Sequence, residues 1–157
     1  MSFAHRLSME KRYMIKIAHR GNTNGSNDLE NAPEYIDKSL SNGYEAEIDV
    51  WYHKDGLWLG HDNPKYMIDF SWLQDRQDRL WCHAKNFEAL NNLLSYQKIN
   101  VFWHQEDNYT VTSQGYIWAY PGQSGNDART IAVKPTPSMK LGDFYGVCSD
   151  DFTQLEI

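Results

Sequence analysis

The run at residues 44–53, YEAEIDVWYH, constrains the fold more than any other part of the chain. Glu45, Glu47 and Asp49 fall on one parity, and Ala46, Ile48 and Val50 fall on the other. A period of two is that of a β-strand, where alternate side chains share a face. Lys54-Asp55-Gly56 then makes a turn, and LWLGH (57–61) returns as the second strand of a hairpin. Glu45 reads as the exposed start of the strand. Its apolar parity needs a covering layer, and the neighbouring segments supply candidates for one.

Upstream, MIKIAH (14–19) alternates and runs into Gly21, which predicts a strand entering a loop. Residues 22–28 form a polar loop. Asn31 then stands as a cap before APEYIDKSLSNG (32–43), with Pro33 in the first turn and Gly43 at the stop. Downstream, residues 68–75 suit a short helix. RLWCHAK (79–85) is a strand, FEALNNLLSYQ (87–97) a helix, and NVFWH (100–104) a strand. Three more strand-like runs follow, at 115–122, 130–135 and 144–150. This order predicts an α/β protein with mostly parallel strands. The later connections are too short for crossover helices, which take about a dozen residues.

With 157 residues the chain makes one domain, expected over residues 13–157 after a loose leader at 1–12. A complete (β/α)8 barrel takes at least about 200 residues, so a barrel here must be a reduced one. The fold class expected is therefore a reduced TIM-barrel-like α/β fold with helices missing from its C-terminal half. An aromatic fraction of 14% lets few residues build a core. Net charge is −6 without a basic run, which disfavours nucleic-acid binding. No apolar stretch is long enough for a membrane span, and the N-terminus has no secretory pattern. Cys82 and Cys148 form no CxxC pair and read as buried thiols of a cytoplasmic protein.

Several strand-like runs end in histidine or charge: His19-Arg20, His61-Asp62, and His83 with Lys85. In parallel α/β folds, sites form at the C-terminal ends of strands. Glu47 and Asp49 share a strand face. Two dehydrated carboxylates must raise a pKa or bind a cation, and hard divalent ions prefer such oxygens. A solvated, alternately charged strand face reads equally well from the residues alone. His19 and His61 are the histidines chosen for proton transfer. His5, His53 and His104 need no special role. Arg20 offers a fork of donors for phosphate, or pairs with Glu30.

In these residues the chain resembles the glycerophosphodiester phosphodiesterases, of the phospholipase C-like phosphodiesterase superfamily. IAHRG (17–21) and residues 29–64 carry His-Arg-Gly, Glu-Asn before a helix, Glu-x-Asp-Val, Asp-Gly and His-Asp, in that order. The match covers residues 14–64, with fainter likeness at WCHAK (81–85) and YGVCSDDF (145–152). The resemblance implies a TIM barrel with one divalent metal ion. It makes His19 and His61 the acid/base pair and Glu47 and Asp49 metal ligands. Arg20 and Lys85 would face the substrate phosphate, and Glu30 would partner Arg20 or serve as a secondary ligand. The reaction implied is attack of a neighbouring substrate hydroxyl on phosphorus, followed by hydrolysis of the cyclic phosphate.

Two departures stand out. The family has Glu-x-Lys where this chain has His83-Ala84-Lys85, so His83 either replaces a carboxylate ligand or packs as a strand residue. Mg²⁺ or Ca²⁺ suits the carboxylates, while Mn²⁺ or Zn²⁺ better suits a set with imidazole. The chain is also short of much of the family's second barrel half. An inactive descendant binding a phosphorylated ligand or a protein is the alternative function, and a lyase stopping at the cyclic phosphate is a third. The partner expected is a small phosphodiester, and a homodimer would cover apolar strand surface left without helices.

Overall fold

A computed structural model describes residues 13–157. The leader predicted at 1–12 lies outside the described residues. Ten strands and three helices follow one another as β1 (Ile15–His19), α1 (Pro33–Ser41), β2 (Glu45–His53), β3 (Gly56–Leu59), β4 (Tyr66–Ile68), α2 (Phe70–Arg76), β5 (Leu80–Ala84), α3 (Phe87–Leu94), β6 (Asn100–Phe102), β7 (Tyr109–Val111), β8 (Ile117–Ala119), β9 (Thr130–Val133) and β10 (Gly146–Ser149).

One curled sheet holds all ten strands. Its parallel part runs β6-β5-β2-β1-β10-β9-β8, and β7 adds antiparallel to β8. The curl brings distant strands together. Trp81 on β5 and Phe102 on β6 both meet Trp118 on β8, at ring-centroid distances of 5.5 and 4.9 Å. The Ser113 amide donates to the Val101 carbonyl at 2.8 Å, tying β6 to the β7–β8 turn. The architecture is thus a mixed α/β half-barrel, mostly parallel, as a reduced barrel requires.

The predicted hairpin is present. Lys54 and Asp55 both take positive φ, 49° and 59°, which fits a two-residue turn between right-twisted strands. The return continues into β4, a third strand the alternation did not single out. β4 and the short β7 have only three residues each, too few to show a period. α2 accordingly starts at Phe70 rather than 68, and α3 ends at Leu94 rather than 97.

The two parities of the strands make two different layers. Outward-facing Ala46, Ile48, Val50, Leu80, Cys82, Ala84 and Val101 pack under α1, α2 and α3, through Ile36, Leu40, Leu73, Ala89 and Leu93. Full burial of a side chain such as Ile48 stabilises the fold by about 1.5–3 kcal/mol. Inward-facing Ile17, Trp81, Phe102, Trp118, Ile131, Val133 and Cys148 fill the barrel interior. Among the described residues no helix follows Leu94. The outer face of β8–β10 (Ala119, Ala132, Val147) is covered instead by Leu141, Phe144 and Phe152 from loops. Both cysteines are free and buried, as expected. Among the described residues, no helix is long and apolar enough to cross a membrane.

Two local expectations are corrected. Asn31 does not cap α1. The N-cap is Ala32, and the fully buried Asn31 side chain turns to β2 instead. Glu45 is not an exposed strand start. It is half-buried at the N-terminal end of the barrel interior and accepts a hydrogen bond from Trp81 Nε1 at 2.6 Å. Burial pushes its carboxyl above the ordinary value.

Candidate functional site

Parallel register builds the site. His19 on β1 pairs with Glu47 on β2, and Asp49 pairs with His83 on β5. Cα partners in a parallel ladder point to the same side, and residues two apart on a strand share it. Glu47, Asp49, His19 and His83 therefore all project into the barrel near the C-terminal ends of their strands. His83 Nδ1 lies 3.1 Å from Asp49 Oδ1 and 3.9 Å from Glu47 Oε1. His19 Nε2 lies 3.7 Å from Glu47 Oε2.

The carboxylates are held differently, although both are buried. Asp49 accepts from Asn31 Nδ2 at 2.9 Å, and its own amide donates to Asn31 Oδ1 at 2.9 Å. Arg20 Nε stands 3.2 Å from Asp49 Oδ2, off the hydrogen-bonding axis, and Lys85 Nζ is 3.7 Å from Oδ1. Burial opposes ionisation of Asp49, but His83, Asn31 and Lys85 outweigh it and hold the carboxyl well below the usual range. Glu47 takes a single hydrogen bond, from the Arg20 amide at 3.3 Å. Burial, with Asp49 beside it, raises its pKa well above normal. A second positive charge is what would let both carboxylates ionise. Glu47, Asp49 and His83 each offer one donor atom, all within 4.8 Å of one another, and so could hold a metal ion.

Around this centre runs a ring of polar groups. His19 Nδ1 and Asp150 Oδ1 are 2.7 Å apart, and Asn22 Nδ2 donates to the same oxygen at 2.8 Å. Burial lowers the His19 pKa, against the pull of Asp150. With Nδ1 engaged by Asp150, Nε2 is the ring nitrogen turned toward Glu47 and the site. Asp150 itself, despite partial burial, is held low by His19 and Asn22. Arg20 Nη1 donates to Glu30 Oε2 at 3.0 Å, so the predicted Arg20–Glu30 pair forms, and Glu30 also accepts from Asn22. Arg20 follows β1 with φ 55°, and Lys134 follows β9 with φ 44°. These left-handed conformations cost free energy for side chains with a Cβ.

The pocket over the centre measures about 370 Å³. His19, Arg20, Glu47, His61, His83 and Lys85 all line it, joined by Lys134, His104, Tyr120 and Trp118. His61 reaches it from the loop after β3. Its side chain is exposed, and Nδ1 lies 2.7 Å from Asp62 Oδ1. Glu30 and Asn31 line an adjoining open pocket that shares His61. The site residues singled out from sequence thus gather at one end of the barrel.

Sequence reasoning missed Asp150, Asn22, Asn31, Lys134, His104 and Tyr120. Asp150 and Lys134 directly follow buried strands as Arg20 and Lys85 do, so the strand-end rule could have found both. His104 was set aside, yet it stacks on Tyr120 at 3.7 Å in the pocket wall. Asn22 carries no signal of its own in sequence, and Asn31 read as a helix cap because its partner, Asp49, lies on another strand.

Fold and pocket together define a barrel-like α/β scaffold with a histidine- and cation-lined cleft over two buried carboxylates at its strand C-termini. No family model, curated protein or solved structure matches the chain.

Proposed function

We propose that this protein is a metal-dependent phosphodiesterase acting on a glycerophosphodiester-type substrate. One observation carries the reading: two buried carboxylates, Glu47 and Asp49, meet an imidazole beneath a pocket rimmed by His19, His61 and three cations. Glu47, Asp49 and His83 would hold the divalent ion, which when bound supplies positive charge for phosphoryl oxygens. The donor set fits such an ion, since Glu47 lacks enough positive charge to ionise alone.

The remaining chemistry belongs to side chains. Arg20, Lys85 and Lys134 orient the phosphodiester and offset its charge. His19 Nε2 accepts the proton of the attacking hydroxyl, with Asp150 fixing the ring through Nδ1 and stabilising the imidazolium that forms. His61, which lines the same pocket, donates a proton to the departing alcohol. The roles then reverse for hydrolysis of a cyclic phosphate. Proton transfers of this kind contribute about 10²–10⁴-fold.

A phosphate-binding descendant without turnover is the second reading, favoured by the exposed His61 whose Nδ1 is engaged with Asp62. Cleavage of bis(p-nitrophenyl) phosphate and glycerophosphocholine, assayed with Mg²⁺, Ca²⁺, Mn²⁺ and Zn²⁺ in turn, separates the two. The enzyme reading expects metal-dependent turnover that EDTA, His19→Ala and His61→Ala each abolish. Phosphate binding with no turnover in any of the four ions refutes it in favour of the second reading.

A further inference from the structure

We infer that His83 makes the metal centre a mixed nitrogen–oxygen site, selective for a borderline first-row ion such as Mn²⁺, Co²⁺ or Zn²⁺ over Mg²⁺ and Ca²⁺. The inference rests on the metal centre of the proposed function and specifies which ion it takes. Three features of the His83 ring carry it. Nδ1 is directed at both carboxylates, 3.1 Å from Asp49 and 3.9 Å from Glu47. Nε2 lies 3.4 Å from the His104 carbonyl oxygen, an acceptor only, so with a cation at Nδ1 the ring would carry its proton on Nε2, facing that carbonyl. Phe102 stacks on the ring at 5.1 Å with planes 7° apart, which fixes its rotation.

The carbonyl that orients His83 is itself held in place. The His104 ring stacks on Tyr120 at 3.7 Å and 20°, and its Nδ1 lies 3.5 Å from Asp107. Histidine ligands on metals characteristically give their other ring nitrogen to a carbonyl or carboxylate, which orients the ring and raises its basicity. Mg²⁺ and Ca²⁺ are hard ions that favour oxygen throughout, whereas imidazole suits the later first-row metals. Replacing one oxygen donor by Nδ1 therefore costs hard ions affinity and favours borderline ones.

The test uses the full chain stripped with EDTA and titrated with each metal alone by calorimetry, with pulsed EPR on the Mn²⁺-loaded protein. Since most sites favour transition metals to some degree, the decisive quantity is the change in the Mn²⁺/Mg²⁺ affinity ratio in His83→Asp. The ratio is expected to fall at least about ten-fold in that variant. In the wild type, EPR should show histidine nitrogen coupled to Mn²⁺, and His83→Gln should lose the coupling. An unchanged ratio, or Mn²⁺ bound by oxygen alone, overturns the inference. If His83→Asp fails to fold, the wild-type nitrogen coupling decides by itself. Nitrogen-coupled Mn²⁺ without diester cleavage upholds this inference while the phosphodiesterase reading fails; cleavage supported equally by Mg²⁺ and Mn²⁺ in both wild type and His83→Asp does the reverse.

Discussion

Glu47→Gln should stabilise the metal-free protein while weakening its hold on metal. Glu47 is 2% exposed, sits beside Asp49, and takes one hydrogen bond, from the Arg20 amide at 3.3 Å. Burial first, then the Asp49 charge, drives its pKa up. Glutamine keeps the shape and an oxygen for the Arg20 amide, but removes a carboxyl that near pH 7 must either hold a proton against the solution pH or carry a charge the interior cannot solvate. Removing that cost returns about 1–2 kcal/mol, at the lower end of the range for replacing buried ionic groups. For a chain of this size each kcal/mol moves Tm by about 2–4 °C, so a rise of about 2–8 °C is expected.

The pH dependence has a definite sign. A carboxyl whose folded pKa lies above its unfolded value makes the fold lose stability as pH rises past the unfolded value, about 4.3 for Glu. The advantage of the glutamine variant should therefore be largest near pH 7 and vanish near pH 4. Differential scanning calorimetry in EDTA from pH 4 to 8 measures it, and calorimetric titration with Mn²⁺ should show weaker binding. A lower Tm at pH 7, or a difference that ignores pH, would refute the picture of an under-compensated Glu47.

Three further outcomes follow from the geometry. Asp150→Asn removes the charge behind His19; losing a charge-assisted hydrogen bond of about 1.5–3 kcal/mol should cut kcat/KM by about 10–150-fold and lower the His19 pKa further, read by a pH–rate profile and histidine NMR. His61→Ala should leave stability within about 0.5 kcal/mol, since the side chain is exposed, yet remove most turnover, with urea unfolding and the diester assay as joint readouts. Asn31→Ala should cost about 2–3 kcal/mol in urea unfolding, because two 2.9 Å hydrogen bonds to Asp49 vanish, leaving its carboxylate under-satisfied, and alanine tolerates φ 65° less well than asparagine.

Much of this fold was legible in local pattern. Alternation at β2 and the turn at Lys54-Asp55 both produced what they predicted, because a buried layer against a polar one leaves its period in the chain. Where the pattern fell silent the reason is physical. Glu45, Glu47 and Asp49 show the same polar parity whether they face solvent or a closed interior, so sequence left Glu45 outside and left the Glu47–Asp49 pair open between two readings. Asn31 had the right residue type and place for a helix cap, but a buried carboxylate on β2 is a stronger partner than a helix end that water can also satisfy.

What the chain's own order determined was the set of strand-end groups: His19 and Arg20 after one strand, Glu47 and Asp49 on another, His83 and Lys85 on a third. Which of them meet was decided only by folding. Pairing β2 to β5 so that Asp49 lies opposite His83, and β1 to β2 so that His19 lies opposite Glu47, sets the distances. A shift of one residue in either register would turn one partner's side chains to the outer face. The closing contribution of Asp150 comes from the residue after β10, over a hundred residues away in sequence, and depends on the last strand inserting into the sheet beside the first. Strand-end chemistry is local and can be read from spacing; register and curvature are collective results of packing two layers at once, and no short stretch of sequence encodes them.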